Sequence, residues 1–209
     1  MKTMNCKMAL VRVVLSGLVL VASAHGANIV SNAGFETGDF TSWTRINATG
    51  FSGVSGSICP SGADTTCVPH TGNFAAFFGD PSLPLEGITQ TLTTLSGTTY
   101  NLDFWLLVDT RIAGPAGTEY KVSFGSTVLA DVFDAHIAPY QHLSFSATAA
   151  GPTTDLKFEF KNAPSWFGLD DVTVVIAPAP SGAPEPVSSG LVGASLIALV
   201  GLRRFLRRP

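Results

Sequence analysis

Charged residues are scarce in this chain, and basic residues are the scarcest. Only 13% of its 209 residues are Asp, Glu, Lys or Arg, which is about half the usual proportion. Between residues 28 and 183, fourteen acidic residues stand against five basic ones, so this body carries a net charge of −9. The five basic residues are Arg45, Arg111, Lys121, Lys157 and Lys161. Because phosphates are bound mainly by Lys and Arg, this shortage excludes nucleic acid as a partner of a basic face.

Helical apolar stripes are also missing between residues 28 and 176. Apolar and polar residues instead alternate in short runs bounded by Gly, Pro, Asn, Asp and Ser, which is typical of sandwiches and barrels. The chain is 45% apolar, so a core can form and disorder of the whole chain is excluded. The runs predict eight or nine strands: a segment near Asn28, then 75–78, 88–95, 100–108, 119–124, 127–133, 141–147, 154–160 and 169–176. This pattern predicts an all-β fold, a two-sheet antiparallel jelly-roll β-sandwich over residues 28–176.

Cysteine is rare, with three residues in the chain. Cys6 lies in the N-terminal segment, which leaves Cys59 and Cys67 in the body. An even count in an oxidising compartment predicts one disulfide between them. The alternative is a zinc site, but His70 is the only histidine near these cysteines and zinc usually takes four ligands.

The N-terminal segment has the layout of a secretory signal peptide. Three basic residues precede the apolar run VVLSGLVLV at 13–21, and the small residues Ala-Ser-Ala follow it. The run is short for crossing about 30 Å of hydrocarbon, which favours a signal peptide over a transmembrane anchor. Residues 1–27 are therefore predicted to be a signal peptide, removed after Ala24 or Ala27, and the body is expected to be exported.

The C-terminal segment combines three features in order. Residues 177–186 (APAPSGAPEP) predict a stiff Pro-rich linker. The small or apolar residues 187–202 would form a helix about 24 Å long, and the chain ends in RRFLRRP. Arginines beside a membrane helix stay in the cytoplasm, so the body is expected on the opposite side of the membrane. An ordinary C-terminal anchor would show the same helix and arginines.

This order of Pro184-Glu185-Pro186, a short transmembrane helix and the cluster beginning Arg203-Arg204 resembles the PEP-CTERM sorting signal. In that family, exported proteins of Gram-negative bacteria carry the tail for an exosortase, a membrane transpeptidase-like enzyme. The resemblance implies an exosortase as processing partner and a transient inner-membrane anchor at 187–209 with the body in the periplasm. It also implies delivery to the cell surface or to the exopolysaccharide matrix.

Three stretches of the body resemble the galactose-binding-like jelly roll of many carbohydrate-binding modules. Residues 28–43 (NIVSNAGFETGDFTSW) are similar to the opening of such modules, although Ala33 replaces the first Gly of their Asn-Gly-Gly-Phe-Glu pattern. Residues 88–105 (ITQTLTTLSGTTYNLDFW) are similar to their middle hairpin, and residues 168–174 (GLDDVTV) to their last strand. The resemblance implies a jelly roll and a polysaccharide ligand.

The same resemblance implies a structural calcium ion. In such modules a Glu after the opening Phe and an Asp of the last strand often hold the ion, and the matching residues are Glu36 and Asp170 or Asp171. Strand parity places Asp170 on the buried face and Asp171 on the opposite face. A buried carboxylate needs compensation, which a cation would supply. Alternatively, Asp170 accepts hydrogen bonds from a turn and Glu36 is solvated.

Catalytic groups show no recognisable spacing, so no catalytic residue is assigned. A complete Gly-x-Ser-x-Gly elbow is missing and the histidines are isolated, which predicts a protein that is not an enzyme. Aromatic rings are the candidates for stacking on sugars, although each of them could equally serve packing. Trp105 is predicted to point outward because Phe104 points inward. The full set of candidates is Trp105, Tyr120, Tyr140 and Trp166.

Two functions follow from these features. The first is non-catalytic binding of surface or matrix polysaccharide. The second is a structural or adhesive role in the matrix, with a protein partner and no specific glycan. A cluster of Trp and Tyr across one sheet face would favour the first function, and a face of Thr and Ser would favour the second.

Overall fold

The computed structural model describes residues 26–48, 50–57, 68–81, 83–108, 117–136, 139–162 and 166–178. Both body cysteines, the PEP motif, the C-terminal arginines and nearly all of the predicted signal peptide lie outside these residues. Within the described ranges, no helix is long and apolar enough to cross a membrane. The described elements are β1 (Thr44–Ile46), β2 (Ser52–Ser55), β3 (Ala75–Phe78), β4 (Glu86–Thr93), β5 (Thr99–Val108), β6 (Glu119–Phe124), β7 (Thr127–Phe133), β8 (Gln141–Thr148), β9 (Thr153–Lys161) and β10 (Phe167–Ile176).

The ten strands form two five-stranded sheets. Sheet A has the order β1-β4-β9-β6-β7, and sheet B has the order β2-β3-β10-β5-β8. All the pairs within both sheets are antiparallel. Neighbours in each sheet are mostly distant in sequence, so long-range pairing builds the fold. The predicted all-β, two-sheet antiparallel sandwich is confirmed.

Strand positions follow the alternation closely. The eight predicted runs from 75–78 onward are all strands, with ends shifted by at most two residues. The segment near Asn28 is not a strand, although the Ile29 amide donates to the Val174 carbonyl at 3.0 Å. The prediction missed β1 and β2 because TRI and SGVS are too short to show an alternating pattern.

Aromatic rings dominate the core between the sheets. Trp43 is buried and stacks on Phe35, with 5.8 Å between ring centroids. Its indole Nε1 donates to the Asn32 carbonyl at 3.2 Å. This bond holds the loop before β1 against the core. The Gln90 side chain on β4 also bonds this loop, since its Oε1 accepts from the Ser31 amide at 2.8 Å. The fully buried phenylalanines are Phe35, Phe78, Phe104, Phe158, Phe160 and Phe167.

Candidate functional site

The outer face of sheet B collects aromatic side chains that are not part of the central core. Side chains alternate along β5, so those between the core residues point away from the other sheet. Trp105 is one of these outward residues, as predicted. Leu107 is another, and it forms a small second apolar cluster with Ala75, Phe77 and Tyr140. This outer face therefore has an apolar half, which we call the aromatic face: His70, Phe77, Trp105, Leu107, Tyr140 and Trp166.

Two rings of the aromatic face rest on glycines. Phe77 and Trp166 form an edge-to-face pair with centroids 5.4 Å apart. A Cβ added at Gly53 would lie 2.7 Å from Cζ of Phe77, and one added at Gly79 would overlap the Trp166 ring. The missing side chains let both rings lie directly against the backbone.

Trp105 lies between two histidine rings. The His70 ring is nearly parallel to the indole, with 3.7 Å between centroids and 15° between planes. The His142 ring is tilted and 5.3 Å away on the neighbouring strand β8. Tyr140 packs edge-on against His70 at 5.5 Å. One face of the indole is thus covered by His70 in this structure.

Two adjacent carboxylates hold the loop that carries His70. Oδ2 of Asp170 accepts the backbone N–H groups of His70 and Thr71 at 2.9 and 3.2 Å. Oδ2 of Asp171 lies 2.6 Å from Nδ1 of His70, and Oδ1 accepts the Thr71 hydroxyl at 2.6 Å. The position of the imidazole over Trp105 therefore depends on the last strand, about a hundred residues further along the chain.

The prediction that Asp170 and Asp171 point to opposite faces is wrong. The register between β10 and β5 shifts between Asp170 and Thr173, and Asp171 has a left-handed φ of 50°. A bulge of this kind re-aims the side chains beside it. Both carboxylates consequently reach the same loop, which simple alternation does not anticipate.

Burial raises the pKa of Asp170 to about 6, from an ordinary value of 3.8. The N–H donors from the loop oppose this shift, and the charge of Asp171 adds to it. Between the ordinary value and about 6, the folded protein retains a proton that the unfolded chain has released. The proton bound to Asp170 therefore adds to the free energy of unfolding at low pH. This contribution declines as the pH rises from the ordinary pKa towards about 6.

Glu36 binds the same loop at residues 73 and 74. Its Oε1 accepts the backbone N–H groups of Asn73 and Phe74 at 2.9 and 3.0 Å. These bonds, above all the one from Phe74, hold the pKa of Glu36 below its ordinary value. Gly72 has a φ of 64°, and a Cβ there would overlap the Glu36 carboxylate. The loop therefore needs glycine at this position.

The three carboxylates predicted to hold calcium all accept hydrogen bonds from protein groups in this structure. Each oxygen of Glu36, Asp170 and Asp171 already has a hydrogen-bond partner in the loop or in the adjacent backbone. Among the described residues, no group of three or more His, Cys, Asp or Glu side chains is arranged to hold a metal ion.

Calcium binding stays a prediction that a melting experiment tests. If Glu36 and Asp170 hold calcium, millimolar calcium should raise the melting temperature over chelator by about 5–10 °C, because a ligand at a hundredfold its Kd adds about 2.7 kcal/mol. Glu36→Gln should abolish that difference, whereas Asp155→Asn on the outside of sheet A should retain it. Equal melting temperatures with calcium and with chelator would contradict the prediction.

Three of the four aromatic candidates lie on the aromatic face, namely Trp105, Tyr140 and Trp166. Tyr120 does not: it is a β6 residue of sheet A, 6% exposed, and its ring packs against Phe167. Its inward direction follows from alternation with the outward Glu119 and Lys121. Burial also raises the pKa of its phenol above the ordinary value. Tyr120 is thus a core residue rather than part of this surface.

His70 and Phe77 were not among the predicted site residues. His70 looked isolated because its partners Trp105 and Asp171 are distant in sequence. Phe77 could have been found only by knowing that Gly53 lies beside it on β2. Neither contact leaves a local signal.

Polar side chains continue the outer face beyond Trp105. Nε2 of His142 lies 3.1 Å from Oδ1 of Asp103. The Ser146 hydroxyl donates to Oδ1 of Asn101 at 2.7 Å. An apolar surface bordered by such donors and acceptors is the usual make-up of a small-molecule or sugar site.

Comparison with known proteins supports the fold. No protein-family model and no curated protein sequence matches this chain. Among solved structures, this chain is similar to TmCBM61 in complex with β-1,4-galactotriose, with 17% identity and a TM-score of 0.57. The match covers 72% of this chain and 99% of that chain. The CBM22-1 xylan-binding domain from Paenibacillus barcinonensis Xyn10C has 14% identity, coverage of 76% and 100%, and a TM-score of 0.51. A family 16 carbohydrate-binding module has 16% identity, coverage of 71% and 99%, and a TM-score of 0.50.

These similarities establish the architecture. The chain has the two-sheet jelly roll of carbohydrate-binding modules, as the resemblance of its three sequence stretches implied. At such low identity, the likeness shows the fold alone. The three similar structures described above are binding modules.

Proposed function

We propose that this protein is a non-catalytic polysaccharide-binding protein that uses the aromatic face of sheet B. The observation that carries this proposal is the gathering of Trp105, Tyr140 and Trp166 on one sheet face together with His70 and Phe77. Aromatic rings offer flat apolar surface to the apolar side of a pyranose ring. The neighbouring Asp103, Asn101 and His142 supply hydrogen-bond partners for hydroxyl groups.

Sheet A offers no comparable surface among the described residues. Its outward side chains on β4 are Thr89, Thr91 and Thr93, and those on β9 are mainly charged. The two faces of the sandwich therefore differ in kind, and only the face of sheet B combines aromatic rings with a polar border. The fold also supports glycan binding, since the similar structures include a complex with β-1,4-galactotriose and a xylan-binding domain.

Retardation in native gels tests this function. The exported protein, purified from a periplasm or from the cell surface, is run in gels containing β-1,4-galactan, xylan or the exopolysaccharide of its host. Retardation by at least one glycan, with none for a non-binding protein of similar charge, is the expected result. If a folded preparation is retarded by none of these glycans, the proposal fails for them.

The second candidate function is a structural or adhesive role with a protein partner. The cover that His70 places over one face of Trp105 favours it, because that indole face is closed to a sugar. A folded protein that binds none of the glycans but binds a matrix protein would support this function instead.

We further propose that the protein is exported and sorted by its PEP-CTERM tail. The support is the sequence of residues 184–208, which lies outside the described residues. Replacing Pro184-Glu185-Pro186 by three alanines should keep the chain in the inner-membrane fraction, whereas the unaltered chain is recovered at the cell surface or in the matrix. Identical fractionation of the two chains would contradict processing at this motif.

A further inference from the structure

The basic residues of the described chain are confined to one sheet. Arg45 lies on β1, Lys121 on β6, and Lys157 and Lys161 on β9, all strands of sheet A. The strands of sheet B, and residues 68–74 and 139–140 beside them, contain neither Lys nor Arg. The strands of sheet B therefore carry three carboxylates, those of Asp103, Asp170 and Asp171, and no Lys or Arg side chain.

Carboxylates flank Trp105 on this face. Asp103 is two residues earlier on β5 and points to the same side, and its side chain is 28% exposed. Asp171, 26% exposed, follows Asp170, the residue that pairs with Trp105 across β10 and β5. Asp103 lies 3.1 Å from His142, and Asp171 lies 2.6 Å from His70 and accepts the Thr71 hydroxyl at 2.6 Å. A sugar placed at Trp105 would therefore lie close to both carboxylates.

We infer that the aromatic face selects neutral glycans and rejects glycans that carry carboxylates; this inference rests on the proposed function. Asp103 and Asp171 can accept hydrogen bonds from sugar hydroxyls, but they repel a uronate. The repulsion energy between two unit charges about 7 Å apart in water is about equal to the thermal energy. Each carboxylate should therefore change the affinity about threefold. Together, the two carboxylates should weaken binding of a carboxylated glycan about tenfold.

A matched pair of ligands tests the selectivity. β-1,4-galactan and xylan are each compared with a carboxymethylated form of the same preparation, using the full exported chain at about pH 8, where ordinary histidines are neutral. The neutral form should bind about tenfold more tightly than the carboxymethylated form at low salt. The difference should shrink at about 1 M salt, where charges are screened beyond about 3 Å.

Substitutions locate the effect on the face. Asp103→Asn should reduce the preference for the neutral glycan over the carboxymethylated glycan about threefold, because it removes one of the two repelling carboxylates. Asp155→Asn on the outside of sheet A is the matched control and should change neither affinity. Arg111→Gln removes a positive charge that lies outside the described residues, and the preference for neutral glycan should persist in that variant.

The outcomes separate this inference from the function on which it rests. Equal or tighter binding of the carboxymethylated glycan would overturn the selectivity while leaving glycan binding established. A preference that Asp103→Asn and Asp155→Asn alter equally would also overturn it, because the effect would then reflect total charge. If neither form of either glycan is retarded, both the proposed function and this inference fail.

Discussion

Replacing Trp105 by alanine is expected to weaken glycan binding by about thirtyfold or more, the loss typical of an aromatic residue at the centre of a binding surface. The indole contacts two histidine rings, those of His70 and His142. Its removal takes away apolar surface and also the support on which the His70 ring rests. The measurement is retardation in native gels over a range of glycan concentrations, read as a dissociation constant.

A control is needed because Trp105→Ala also removes packing. Tyr120→Phe is a suitable control, since this buried residue of sheet A is remote from the aromatic face and keeps its ring. Each variant is melted first, and binding is compared only between folded proteins. Binding by folded Trp105→Ala that equals that of the unaltered protein would show that the glycan site lies elsewhere.

Replacing Gly87 by alanine is expected to lower the free energy of unfolding by about 3 kcal/mol or more, as overpacking a rigid site does. A Cβ at this position would overlap the carbonyl oxygen of Phe158 and lie 2.9 Å from the Cα of Glu159. Both atoms belong to the backbone of β9, which is paired with β4 on one side and with β6 on the other. The strand therefore cannot move aside without disturbing sheet A.

Gly151→Ala provides the comparison for Gly87→Ala. A Cβ at Gly151 has as its nearest neighbour the carbonyl oxygen of Thr153 at 3.7 Å, an ordinary contact. Its stability should change by no more than about 0.5 kcal/mol, as for most surface substitutions. Unfolding of both variants in denaturant measures the difference. Similar stability of the two variants would show that sheet A tolerates the added methyl group.

The strands were predictable because their pattern is local. Residues 100–108 alternate between core and outer face, and they form β5 within one residue of the prediction. The same alternation correctly placed Trp105 outside. It failed at Asp171, where a bulge and a left-handed φ interrupt the period of two. The same alternation applies to Tyr120. Its charged neighbours Glu119 and Lys121 point outward, so alternation would have placed Tyr120 in the core.

The candidate site was only partly predictable because its residues come from separate strands. His70 precedes β3, Trp105 lies on β5, and Asp171 lies on β10. The order β3-β10-β5 in sheet B makes them neighbours, and nothing in the local sequence encodes that order. The glycines that support Phe77 and Trp166 are likewise recognisable only when the rings are seen above them.

The sequence by itself determined the class of fold and the distribution of charge, since alternation and composition are properties of short stretches. It also predicts a signal peptide at the N-terminus and a sorting signal at the C-terminus. Only the tertiary structure decided where the aromatic rings meet, that His70 covers Trp105, and that the basic side chains of the described residues all lie on sheet A. The physical reason is that strand order, bulges and loop anchoring arise from long-range pairing, and a binding surface on a sheet is made by that pairing.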